Sequence, residues 1–194
     1  MNEDQILRQK EIFLSSYTPS ANAITPEEIA LAGAIVSAVR RNPTYSRDLP
    51  REQRNELVEF WHNELIQRGS KYLRSVQTLN TYVGDIIDMK ASINARYGEF
   101  LHNDVSSGIR ISQCQKSLSV YLKYMWCQNI AVVDPPLCPI DRIVLSHCGI
   151  FDISWTRIDD ADTLWRIIAA VTSHAQGYPC CDSVAEWELC MFNL

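Results

Sequence analysis

The sequence predicts an all-α fold. Three observations carry that expectation. Apolar residues recur at spacings of three and four along most of the chain. The segments with that spacing open on legible helix-capping patterns. Strand-like alternation is nearly absent, with only residues 130–133 and 150–155 readable as short extended pieces. At 194 residues, 46% hydrophobic and 21% charged, the chain suits a single helical domain, 1–194, able to bury a proper core.

In chain order, residues 3–17 carry Ile6, Leu7, Phe13 and Leu14 on an amphipathic pattern that ends at Thr18-Pro19. Thr25-Pro26-Glu27-Glu28 is a strong start: Thr25 caps, Pro26 takes the first helical position, and Glu28 returns a bond to the cap. That helix runs to Arg40-Arg41, cations suited to a C-terminus. Pro43 and Pro50 bracket a loop. Residues 51–67 follow as a helix stopped by Gly69, and 70–100 read as one long or broken helix with Gly84 and Gly98 as weak points. A polar loop over 103–108 leads to Ser112-Gln113-Cys114-Gln115, a capping-box pattern that opens a helix over 112–128. Cys138-Pro139-Ile140-Asp141 opens a shorter helix, with Asp141 in its first turn, stopping near Gly149. Helices from about Asp160 to Gln176 and from Ser183 close the chain. Asp159-Asp160-Ala161-Asp162 reads as a cap with first-turn acids, and Ser183-Val184-Ala185-Glu186 as another capping box.

Composition excludes several classes. No run of about 18 apolar residues occurs, so no membrane span or membrane partner is expected. The start, Met1-Asn2-Glu3-Asp4-Gln5, is unlike a secretory signal, which points to the cytoplasm. The seven cysteines include no Cys-x-x-Cys pair, so neither a disulfide framework nor a closed zinc site is expected. His62, His102, His147 and His174 form no metalloprotease pattern, and no Gly-rich phosphate loop occurs. No metal and no cofactor is therefore expected. Net charge is −5, yet residues 65–125 carry 8 basic against 4 acidic side chains, a locally basic third inside an acidic protein.

The most informative chemistry is Lys116 followed by Asp141. With Ser112 as the cap, Lys116 stands near the positive end of the helix dipole, where an ammonium ion is disfavoured. A lysine held as the free amine attacks electrophilic carbon and forms a Schiff base. Asp141, at the start of the next helix, supplies an ionised carboxylate that stabilises a sugar cation and steers the amine or a water.

Gln115-Lys116-Ser117-Leu118-Ser119-Val120-Tyr121-Leu122-Lys123-Tyr124, followed by Pro139-Ile140-Asp141-Arg142-Ile143-Val144, resembles the helix-hairpin-helix superfamily of DNA glycosylases. The likeness is to the 8-oxoguanine glycosylase branch, particularly its small divergent archaeal-type and bacterial defence-associated members, and is confined to about residues 105–150. It implies a helical glycosylase-like fold, as one body or two lobes around a cleft, with its core over about 70–150. It implies Lys116 as Schiff-base lysine and Asp141 as catalytic aspartate. The implied partner is DNA bearing an oxidised or modified base, including modified bases of invading phage. The family's Gly-hydrophobic-Gly hairpin is reduced here to Ser107-Gly108-Ile109-Arg110-Ile111-Ser112, leaving Gly108, Arg110 and Ser112 as the phosphate-binding candidates. The iron–sulfur loop of some relatives is absent.

A flipped base needs an aromatic pocket, for which Tyr121, Trp126, Trp155 and Trp61 are the candidates, although aromatics at helical spacing are mostly core. Two alternatives stand beside base excision. One is an enzyme of the same fold acting on a free modified nucleoside, nucleotide or base, favoured by the acidic chain. The other is a non-catalytic helical adaptor in which Lys116 and Asp141 pair structurally.

Overall fold

The computed structural model describes residues 3–17, 25–40, 44–101 and 108–193. Thr18-Pro19, Arg41, Pro43, His102 and most of the 103–108 loop lie outside them. The architecture is all-α, with eight α-helices among the described residues: α1 (Glu3–Tyr17), α2 (Pro26–Val39), α3 (Arg51–Gly69), α4 (Leu79–Tyr97), α5 (Ile111–Cys127), α6 (Arg142–His147), α7 (Ala161–Gln176) and α8 (Val184–Phe192). The segments 130–133 and 150–155 form no strand. The one β-bridge among the described residues joins Tyr45 to Leu101.

Helix α5 is the axis of the molecule. Helices α1, α2, α3 and α4 all pack on it, and every one of its residues except Lys116 is buried. The small residues Ala30, Ala34 and Ala38 of α2 are buried. Gly33 lets α2 come so close that an added Cβ would sit 2.5 Å from the Tyr124 ring. One cluster of buried apolar residues runs from Phe13 to Leu189.

The cap chemistry acts largely as expected. Thr25 Oγ1 accepts from the Glu28 amide at 3.2 Å, and Glu28 Oε2 accepts from the Thr25 amide at 2.8 Å. Asp160 caps α7 by accepting from the Thr163 amide. Ser183 caps α8 by accepting from the Glu186 amide, while the Glu186 carboxylate takes the Asp182 amide in place of Ser183's.

Three boundaries differ. The 70–100 stretch is broken after a 3-10 turn (Ser70–Leu73), and α4 restarts on a Thr78 cap. Gly84 lies undisturbed inside α4 with open space around it, whereas Gly98 ends that helix. Ser112 is not the cap of α5. The helix begins at Ile111, whose amide donates to Asp159 Oδ1 at 3.0 Å, so a carboxylate 48 residues away does what the local serine was expected to do. Asp141 is not in the first turn of α6 but caps it, its Oδ1 accepting from the Ile143 and Val144 amides.

Candidate functional site

The site is assembled from α5 outward. With Ser112 relieved of capping, Gln113 Oε1 accepts from the Arg110 amide, and Gln115 is free to reach sideways. Its Nε2 donates to the Cys138 carbonyl at 2.9 Å and its Oε1 accepts from the Ile140 amide at 3.2 Å. Ser119 Oγ also donates to the Cys138 carbonyl. This two-point grip on extended backbone holds the 138–140 segment along α5 and delivers Asp141 to the side chain next to Gln115. There Lys116 Nζ lies 3.0 Å from Asp141 Oδ2.

Trp155 closes the other side. It opens a 3-10 turn (Trp155–Arg157), and its ring lies 4.6 Å beneath the Lys116 ammonium, a cation–π contact. Arg110 fixes that turn by donating from Nη1 to the Thr156 carbonyl. Lys116, Asp141 and Trp155 together line a cleft of about 630 Å³. That volume is within the range of about 300–1,000 Å³ usual for small-molecule sites.

Deeper in the same cleft is a second ion pair. Lys123, two turns along α5 from Lys116, lies 2.7 Å from Glu188 of α8. Its ammonium lies against the Phe13 and Phe192 rings, at 4.4 and 4.3 Å from their centres. Burial pushes the Glu188 carboxyl above its usual value, and the neighbouring Lys123 opposes that rise. Burial also raises the Cys138 thiol well above its usual value, which leaves it a poor nucleophile.

Of the aromatic candidates only Trp155 lines the cleft. Trp61 is fully buried, its indole N–H donating to Ser117 Oγ. Tyr121 packs against Gly69 and donates its hydroxyl to Glu27. Trp126 is buried beneath the Lys10 ammonium. These three serve the core, because α5 is enclosed on nearly every side. Besides Trp155, the aromatics that face the cleft are Phe13, Tyr124 and Phe192.

The phosphate candidates also face inward. Gly108, Arg110 and Ser112 are buried. The Ser112 amide donates to the Ile158 carbonyl, and the Gln113 and Cys114 amides to the Arg110 carbonyl, so the opening N–H groups of α5 are all engaged. Gly108 has its own structural reason. Its φ of +109° and the Asn94 side chain, 2.7 Å from any added Cβ, leave room only for glycine.

The sequence reading missed Lys123, Glu188, Phe13, Tyr124, Phe192, Arg40 and Arg142, all of which line the cleft. One signal was available: Lys116, Val120 and Lys123 share a helix face by their spacing of four and three.

All seven cysteines are free. Among the described residues no helix is long and apolar enough to cross a membrane, and no cluster of His, Cys, Asp and Glu is suited to a metal ion. Compared with protein-family models, with curated proteins and with solved structures, the chain matches none of them.

Proposed function

We propose that the cleft is a base-excision site: an N-glycosylase with lyase capacity, acting on an oxidised or modified base presented by DNA. The observation that carries the reading is the Lys116–Asp141 pair, 3.0 Å apart at the wall of a cleft roomy enough for a flipped nucleotide. Lys116 is also the one residue of α5 left unburied, so the side chain with nucleophilic chemistry is the one the central helix exposes.

In this mechanism Asp141 accepts a proton from the Lys116 ammonium, freeing its lone pair. The amine attacks the sugar C1′ as the glycosidic bond breaks, and the bonding electron pair leaves with the base, which takes a proton from solvent. Opening of the sugar ring converts the new C1′–N bond into a Schiff base. Asp141 stays fixed throughout by its two backbone donors at the start of α6, so little reorganisation accompanies charge development.

The test is borohydride trapping on duplexes carrying a panel of oxidised and modified bases. The expected result is a covalent adduct that disappears in Lys116→Ala, with Asp141→Asn slowing single-turnover excision by about 100-fold or more. No adduct on any duplex, or unchanged excision in Lys116→Ala, overturns the reading.

A second reading is favoured by one observation. The start of α5 spends its N–H donors internally, which removes the expected hairpin grip on duplex DNA and favours a free modified nucleoside or nucleotide as substrate. Affinity for DNA at about 50 mM salt separates the two, because phosphate contacts are strongest there.

A further inference from the structure

The charges of the cleft do not cancel. Its lining holds Arg40, Lys116, Lys123 and Arg142 against Asp141 and Glu188. Each lysine is matched to one carboxylate, Lys116 to Asp141 and Lys123 to Glu188. Arg40, the C-cap of α2, and Arg142, the first residue of α6, are exposed, and their side chains form no ion pair with any described residue. Two uncompensated guanidinium groups therefore stand at this cleft, in a chain whose net charge is −5.

We propose that Arg40 and Arg142 form a phosphate clamp at the mouth of the cleft, receiving the phosphate of a nucleotide unit whose base and sugar lie inside. The planar guanidinium fork matches phosphate oxygens in a way a point charge does not. The same cleft is lined by Trp155, which is partly exposed, and by the edges of the buried Tyr124 and Phe13, apolar groups suited to a base. The start of α5, where phosphate was expected to bind, is closed by its own hydrogen bonds. The phosphate belongs either to a free nucleotide or to a DNA strand with one nucleotide turned into the cleft. The identity of the occupant rests on the base-excision reading, whereas the clamp is tested by binding alone.

The full chain is titrated at about 50 mM salt with deoxynucleosides, their 5′-monophosphates, inorganic phosphate and a single-stranded oligonucleotide. Monophosphates are expected to bind more tightly than nucleosides, by about tenfold for each arginine engaged. Arg40→Gln with Arg142→Gln removes that preference, and Arg40→Lys with Arg142→Lys restores only part of it. Both side chains are exposed, so thermal unfolding of these variants stays at the wild-type temperature. An oligonucleotide that binds well above the monophosphates assigns the phosphate to DNA, and the reverse order assigns it to a free nucleotide. Equal affinity for nucleoside and monophosphate, absence of binding by both, or a preference that survives in the double glutamine variant overturns the clamp. A phosphate preference without any Lys116 adduct leaves the clamp standing and removes base excision. An adduct formed with unchanged KM in the double glutamine variant does the opposite.

Discussion

Two lysine–carboxylate pairs stand seven residues apart on one face of α5, and water reaches them differently. The side chains of Lys116 and Asp141 are 12% and 19% exposed; those of Lys123 and Glu188 are 5% and 6%. The sealed pair is also closer, 2.7 Å against 3.0 Å, and its ammonium lies against Phe13 and Phe192. A buried pair is held by the penalty of separating it, since either charge alone is stranded in a medium that solvates it poorly. A pair at the wall of an open cleft can exchange its partner for a ligand. The same chemical motif thus stands in two settings on one helix and in one cleft, and exposure to water separates them.

The largest expected effect breaks the sealed pair. Lys123→Ala leaves the Glu188 carboxylate buried without its partner and costs about 3–5 kcal/mol of stability, read by urea unfolding. Lys116→Ala, at the open pair, costs about 1 kcal/mol. Replacing both sealed partners, as Lys123→Met with Glu188→Leu, recovers most of the loss because no lone charge remains. If Lys123→Ala and Lys116→Ala are equally mild, the two pairs do not differ as described.

A smaller effect tests how the open pair is assembled. Gln115→Ala removes the acceptor of the Ile140 amide and one of the two donors to the Cys138 carbonyl, which keeps Ser119, at about 2 kcal/mol. It also loosens the segment that delivers Asp141. Gln115→Glu keeps an acceptor for the Ile140 amide but has no donor for the Cys138 carbonyl, so its loss is expected to be nearer to that of Ala than to wild type. Yield of the trapped Lys116 adduct, measured with denaturation midpoints, separates loosening of Asp141 from loss of fold. An adduct yield unchanged in Gln115→Ala shows that Asp141 is held without this grip.

The fold was legible where its signals were local. Thr25 and Glu28 bond reciprocally within one turn, and Ser183 and Asp160 cap the helices that follow them. The start of α5 was misplaced by one residue because its cap acceptor, Asp159, comes from a distant segment, and local pattern has no access to such a partner. The same reason divides the site. Lys116 and Asp141 were readable because each stands close to a helix start. Lys123 and Glu188 meet across 65 residues, and a mid-helix lysine ordinarily belongs to a solvated face. The basic middle of the chain led the same way: two of its cations, Lys116 and Lys123, line the cleft rather than the outer surface. Trp61, Tyr121 and Trp126 show the converse, since pocket and core aromatics have the same spacing and differ only in what surrounds the helix.

The smallest expected effect is a pH slope that belongs to the sealed pair. Burial holds Glu188 above the usual value of 4.5, with Lys123 opposing and Asp141 and Lys116 adding weaker contributions of opposite sign. A carboxyl raised in the folded state binds its proton more tightly there than in the unfolded chain. Its contribution to stability is therefore complete below pH 4.5 and is lost as pH climbs through the raised folded value. Glu188→Gln removes the titration while keeping the shape. The stability of wild type relative to Glu188→Gln is accordingly expected to fall as pH rises from about 4.5, and to fall more steeply when Lys123→Met removes the opposing charge from both proteins. Denaturation midpoints of the four proteins across that range measure the two slopes. A difference that grows with pH means that the ion pair with Lys123 outweighs burial, and Glu188 then behaves as an ordinary paired carboxylate rather than as a strained one.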